Sequence, residues 1–118
     1  MAGMTPTDFD GAVPVDGYGP GFFRVGGKVI RGGVLVTAEG PAPWGGLDDV
    51  AALLALSGKV DVLFLGTGAE IARAPAELAA TLEAAGIAIE AMSSPSAARS
   101  FNVTLSEGRR VACALLPL

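Results

Sequence analysis

The sequence predicts a single α/β domain in which helices cover a mixed β-sheet. Three observations carry that reading. The run Val62-Leu63-Phe64-Leu65 is almost continuously apolar, the pattern of a strand buried on both faces. From Leu47 onward, segments with apolar residues three and four apart alternate with short apolar, partly β-branched runs. Near the amino end, two strand-like runs flank the pair Gly26-Gly27. A length of 118 residues suits one domain. We expect an extended amino-terminal arm over residues 1–17 and the α/β domain over 18–118.

The first twenty residues carry Pro6, Pro14 and Pro20 with Gly3, Gly11, Gly17 and Gly19, a density that favours extended or turning backbone and reads as a draped arm. Phe22-Phe23-Arg24-Val25 and Lys28-Val29-Ile30-Arg31 then form a β-hairpin, because the glycines between them accept the positive φ of a tight turn. Gly32-Gly33 interrupts the second run before Val34-Leu35-Val36-Thr37, which reads as one bulged, bent strand. Residues 39–46 read as a loop, with Trp44 alone among turn formers. Leu47, Val50 and Leu54, with Ala51 and Leu53, give the apolar face of a first helix; Asp48 and Asp49 suit its positive amino end, and Gly58 stops it. The central strand follows. Pro75 suits the first position of a second helix striped by Leu78, Leu82 and Ala85 and stopped by Gly86. Ile87-Ala88-Ile89-Glu90-Ala91-Met92 is then a strand parallel to the central one. Ser94-Pro95 reads as the N-cap and first position of a third helix with Ala98, Phe101 and Leu105 on one face and Gly108 at its end. The last strand alternates Val111, Cys113 and Leu115 with Ala112, Ala114 and Leu116.

Composition excludes several function classes. Eight Lys plus Arg against twelve Asp plus Glu give a net charge of −4, which argues against nucleic acid as a partner. With no histidine, Ser-His-Asp and Cys-His nucleophile arrangements and histidine metal sites are excluded. Cys113 stands alone, so neither an internal disulfide nor a set of metal thiolates is available. Mid-strand among Ala and Leu, with no obvious cation to lower its pKa, it reads as a small apolar filler. Asp48, Asp49, Asp61 and Glu70 are scattered and lack calcium-loop spacing, so neither a metal nor a cofactor is expected. Residues 1–10 carry Asp8 and Asp10 and do not resemble a basic-then-apolar signal. The apolar stretches are broken well before the roughly 20 residues that cross a bilayer. The expected location is therefore cytoplasmic.

Two constellations are candidates for chemistry. Gly66-Thr67-Gly68 follows the central strand, and the carboxyl end of a buried parallel strand is where α/β sheets place ligands. A dinucleotide motif would need a third glycine where Ile71 stands, and a phosphate loop would need a Lys-Ser/Thr pair. An ordinary tight turn is the alternative. Arg99 and Asn102, three apart on the third helix, either converge on an anion or fasten that helix to a neighbouring loop. Tyr18 and Trp44 are expected contact anchors for a partner protein, with core packing as the alternative.

Gly17-Tyr18-Gly19 leading into Phe23-Arg24-Val25, Trp44 before the first helix, Leu65-Gly66-Thr67-Gly68, Ala97-Ala98-Arg99-Ser100-Phe101-Asn102 and Glu107-Gly108-Arg109-Arg110-Val111 together carry a resemblance. Over residues 18–117 the chain resembles a small α/β family of largely unassigned function, which includes mitochondrial respiratory complex I assembly factor 3 and the adipogenesis-associated domain proteins. The resemblance implies a three-layer fold and no established catalytic activity. For the mitochondrial relative it implies a role in building the respiratory enzyme through protein contacts. It also places Gly66, Thr67, Gly68, Arg99 and Asn102 in the family's most recognisable motifs. Where relatives often have Thr-Tyr before the Asn, this chain has Ser100-Phe101, which removes a phenolic hydroxyl. The expectation is a non-catalytic protein-binding module with peripheral association to a membrane complex. The alternative is a small-anion binder or weak enzyme using Gly66, Thr67, Gly68, Arg99 and Asn102. Self-association through apolar surface is a third expectation.

Overall fold

The computed structural model describes residues 11–118. Strands β1 (Val15–Gly19), β2 (Phe22–Val25) and β3 (Lys28–Arg31) make a small antiparallel sheet in that order. Strands β4 (Val34–Thr37), β5 (Gly40–Pro43), β6 (Val62–Gly66), β7 (Ala88–Met92) and β8 (Val111–Leu115) make a five-stranded sheet of order β5-β4-β8-β6-β7. The latter is mixed: β6 runs parallel to β7 and β8, and β4 runs antiparallel to β5 and β8. Helices α1 (Val50–Leu54), α2 (Ala76–Ala84) and α3 (Ser94–Ser106) complete the domain.

The period-two geometry of a strand divides the core in two. Val34, Val36, Val62, Phe64, Val111, Cys113 and Leu115 pack with Ala97, Ala98, Phe101 and Leu105 of α3 and with Val15, Phe23 and Val25 of the small sheet. Leu35, Leu63, Leu65, Ala112 and Ala114 pack on the other face with Leu53 of α1 and with Leu78 and Leu82 of α2. Three layers result: α1 and α2, the five-stranded sheet, then α3 with the small sheet. The parallel pairing of β6 with β7 and the alternation in β8 agree with the sequence reading. So does the hairpin of β2 and β3, with Gly26 at φ +56 and Gly27 at φ +83.

Several expectations need correction. Gly32-Gly33 does not bulge a single strand; β3 and β4 belong to different sheets. Gly32 takes φ +82, and a side chain on Gly33 would begin 2.6 Å from the Trp44 carbonyl oxygen, so the pair forms a tight corner between the sheets. The arm does not run to residue 17, because β1 begins at Val15 and pairs with β2; the part of the arm over residues 1–10, including the signal-peptide reading, lies outside the described residues. The loop read over residues 39–46 contains β5, whose prolines Pro41 and Pro43 stand opposite Val36 and Val34. Proline survives there because β5 is an edge strand and its missing N–H faces away from β4. Helix α1 is short: the Asp49 carboxylate accepts the Gly45 N–H at 3.1 Å instead of capping the helix, and turns follow over residues 55–59. The cap of α3 is Ser93, whose hydroxyl accepts the Ser96 N–H at 3.4 Å. Among the described residues no helix is long and apolar enough to cross a membrane.

Candidate functional site

The carboxyl end of β6 is a closed polar knot. The Ser94 hydroxyl accepts the Gly68 N–H at 2.9 Å and donates to the Leu116 carbonyl at 2.7 Å. The Ser94 N–H donates to the Gly68 carbonyl at 2.7 Å, and the Leu116 N–H to the Gly66 carbonyl at 2.9 Å. Ser94 is wholly buried, so its bonds join the ends of β6 and β8 to the start of α3 without competition from water. Gly66 is needed for that approach: a Cβ there would lie 2.7 Å from Ser94 Cα. The Thr67 N–H donates to the Met92 carbonyl at 2.8 Å. Its hydroxyl donates to the Glu70 carbonyl at 2.8 Å and accepts the Ala72 N–H at 2.9 Å. The N–H groups of Thr67 and Gly68, which an anion would require, are therefore bonded within the chain. Ser94 is the residue the sequence reading missed as a hub, having taken it for a helix cap.

Asn102 faces the small sheet. Its Oδ1 accepts the Val15 N–H at 2.9 Å and its Nδ2 donates to the Val15 carbonyl at 2.7 Å, so the side chain pairs with β1 much as a neighbouring strand would. This is the fastening role. Arg99 turns elsewhere: its guanidinium donates to Ser96 Oγ at 3.2 Å and borders a shallow groove of about 370 Å³ with Phe64, Glu90, Met92 and Val103. Neither Asn102 nor the 66–68 loop lines that groove. Arg99, Asn102 and the loop do not converge on it.

Trp44 is only 4% exposed, and its indole N–H donates to the Asp49 carbonyl at 3.3 Å. The expectation of a contact anchor there is corrected: Trp44 pins the loop before α1 against the α1 and α2 side of the sheet. Tyr18, opposite Phe23 in the small sheet, is 45% exposed. Cys113 is buried among apolar groups, and burial pushes its thiol pKa up, away from thiolate. A larger concavity of about 720 Å³ lies over Leu35, Leu56, Val60 and Val111, rimmed by Lys59, Arg109 and Arg110. Arg110 is already committed: it donates to Asp61 at 3.0 and 3.3 Å and to the Gly58 carbonyl at 3.2 Å. The hydrogen bond from Arg110 holds the Asp61 carboxyl below its usual range.

Comparison with known proteins agrees with this architecture. The model of the family described as "Protein of unknown function (DUF498/DUF598)" matches residues 15–116. The chain belongs to that family. A Rhodobacter capsulatus protein described as uncharacterised is 60% identical over 117 residues, covering 98% of this chain and 94% of its own length. The NADH dehydrogenase [ubiquinone] 1 alpha subcomplex assembly factor 3 of Danio rerio is 32% identical over 107 residues, covering 85% of this chain; the match takes in 62% of that longer protein. Among solved structures, a Bartonella henselae protein described as an outer membrane protein superposes with a TM-score of 0.81 at 35% identity, covering 93% of this chain and 98% of that one. An Mth938-like domain from Bordetella pertussis superposes at 0.79 with 26% identity, covering 99% and 92%.

Proposed function

We propose that this DUF498/DUF598 domain is a non-catalytic protein-binding module that supports assembly of a respiratory membrane complex from the cytoplasmic side. The relationship to the Danio rerio assembly factor, which extends over most of the domain, carries this reading. The site chemistry is consistent with it. The polar groups at the ends of β6 and β8 are engaged in holding the fold, and the buried Cys113 thiol is kept protonated. Binding of a small anion by Gly66, Thr67, Gly68, Arg99 and Asn102 has less support, since the Thr67 and Gly68 donors and the Asn102 amide already have partners.

The test is deletion of the gene in its host, followed by native electrophoresis of solubilised membranes with in-gel NADH dehydrogenase activity. Accumulated subcomplexes and reduced intact enzyme are expected, with the tagged protein cross-linking to the subcomplexes. An intact enzyme at its normal level in the deletion strain overturns the proposal, as does efficient turnover of a metabolite by the purified chain.

A further inference from the structure

The two edges of the five-stranded sheet are built differently. At one edge, Pro41 and Pro43 of β5 take the outward-facing positions, so that strand offers no N–H there and is blunted against pairing. At the other, β7 contains no proline. The Ala88 N–H donates to the Asp61 carbonyl at 3.0 Å and the Met92 carbonyl accepts the Thr67 N–H at 2.8 Å. In a parallel ladder alternate residues turn both main-chain groups to the same neighbour, so Ala88, Glu90 and Met92 face β6. Ile89 and Ala91 therefore turn theirs outward, where β7 has no neighbouring strand among the described residues.

A shallow groove lies on each face of this edge. One is bordered by Ala91 and by Ile71, which is 71% exposed; the other by Glu90, Met92 and Val103, which is 59% exposed. These two are the most exposed large apolar side chains among the described residues. Strand addition uses unpaired main-chain groups flanked by pockets for alternate side chains, and here one flank is mainly apolar while the other combines Met92 and Val103 with the charged Glu90 and Arg99.

We propose that β7 is the docking edge for an extended segment of a partner protein, which joins the sheet as a further strand and sets a lysine or arginine opposite Glu90. The inference rests on the protein-binding reading above and supplies its surface. Glu90 decides the occupant. It is exposed in mid-strand and forms no ion pair among the described residues. Arg99, in the same groove, is drawn back onto Ser96. Pairing with a second copy about a two-fold axis, using every outward group, sets Ile89 against Ala91 and one Glu90 directly against the other. Like charges facing each other across an antiparallel pair are destabilising, so the carboxylate disfavours self-pairing and selects a cation.

Two blocked heptapeptides of alternating valine and threonine, one with a central lysine and one with a central glutamate, test this against the full chain by amide NMR. The lysine peptide should slow exchange at Ile89 and Ala91 and shift the signals of Ile71 and Val103, and should bind roughly tenfold or more tightly than its twin. Ala91→Pro should abolish binding while leaving the β6·β7 ladder intact, because that N–H is outside the ladder. Glu90→Lys, a surface change that keeps the fold, should reverse the preference between the peptides. Equal binding of both peptides, binding of neither, or shifts mapping away from β7 overturns the proposal. A dimer of the unaltered chain joined through β7 overturns it in favour of a second copy. None of these outcomes alters the deletion phenotype, so the surface and the assembly role fail separately.

Discussion

Helices α2 and α3 cover opposite faces of one sheet and are held by different means. Helix α2 begins at Ala76, with Pro75 outside it in extended backbone and no side-chain cap. It buries Leu78 and Leu82, so apolar contact does most of the holding, helped by one exposed bond at its far end from the Ser57 hydroxyl to the Ala85 carbonyl at 2.8 Å. Helix α3 is capped by Ser93, tied through Ser94 to the ends of β6 and β8, and bonded through Asn102 to β1. Directional bonds fix its rotation and height, whereas burial fixes only which face of α2 points inward. The lesson is that α3 is a joint between two sheets and α2 is a cover over one. The proposed docking edge lies between these regimes, with Val103 on the fixed joint and Ile71 in the segment leading to the cover.

The largest expected effect tests that division at its apolar base. Phe101 is fully buried between the two sheets, and Phe101→Ala should cost about 3–5 kcal/mol of global stability. It should speed amide exchange throughout both sheets. Leu82→Ala removes an equally buried side chain from the cover and should open α2 locally before the five-stranded sheet yields. If chemical denaturation and amide exchange give the two variants the same global profile, the contrast between joint and cover is wrong. Ser94→Ala comes next, at about 1–3 kcal/mol, because it strands the Gly68 N–H and the Leu116 carbonyl in a buried setting. The sharpest sign should be faster exchange at Gly68 with little change in α2.

Much of the fold was legible because burial writes a period into sequence. The continuous run Val62-Leu63-Phe64-Leu65 marks β6 as buried on both faces, and Val111, Cys113 and Leu115 alternate with Ala112 and Ala114 as their two separate clusters require. Strand β5 was hidden because Pro41 and Pro43 normally argue against a strand, an argument that lapses at an edge. Gly32 and Gly33 looked like a bulge because a corner between sheets and a kink within one make the same demand on the backbone. At the candidate site, residue type indicated that Arg99 and Asn102 were capable of hydrogen bonding without indicating to what. The partners of Asn102 are main-chain atoms of Val15, 87 residues away in sequence, and no local pattern encodes that contact. Ser94 was overlooked for the same reason, since beside Ser93 and Pro95 it is indistinguishable from a cap.

The smallest effect decides between the two readings of Asn102. Asn102→Ala removes both bonds to Val15 at a half-buried position and should cost about 1–2 kcal/mol. Exchange should rise along β1, with the five-stranded sheet unchanged. Asn102→Asp sharpens the point: one oxygen still accepts the Val15 N–H, but the other now faces the Val15 carbonyl with no proton to offer at neutral pH. Lowering the pH through the carboxyl pKa restores a donor, so β1 in this variant should become better protected in acid, opposite to the usual trend of an ionised carboxylate that stabilises a fold. A ligand-binding asparagine would behave otherwise, leaving β1 protection unchanged in both variants and losing only the stabilisation that added phosphate gives the unaltered chain. That pattern would return Asn102 to the list of binding residues and remove it from the joint.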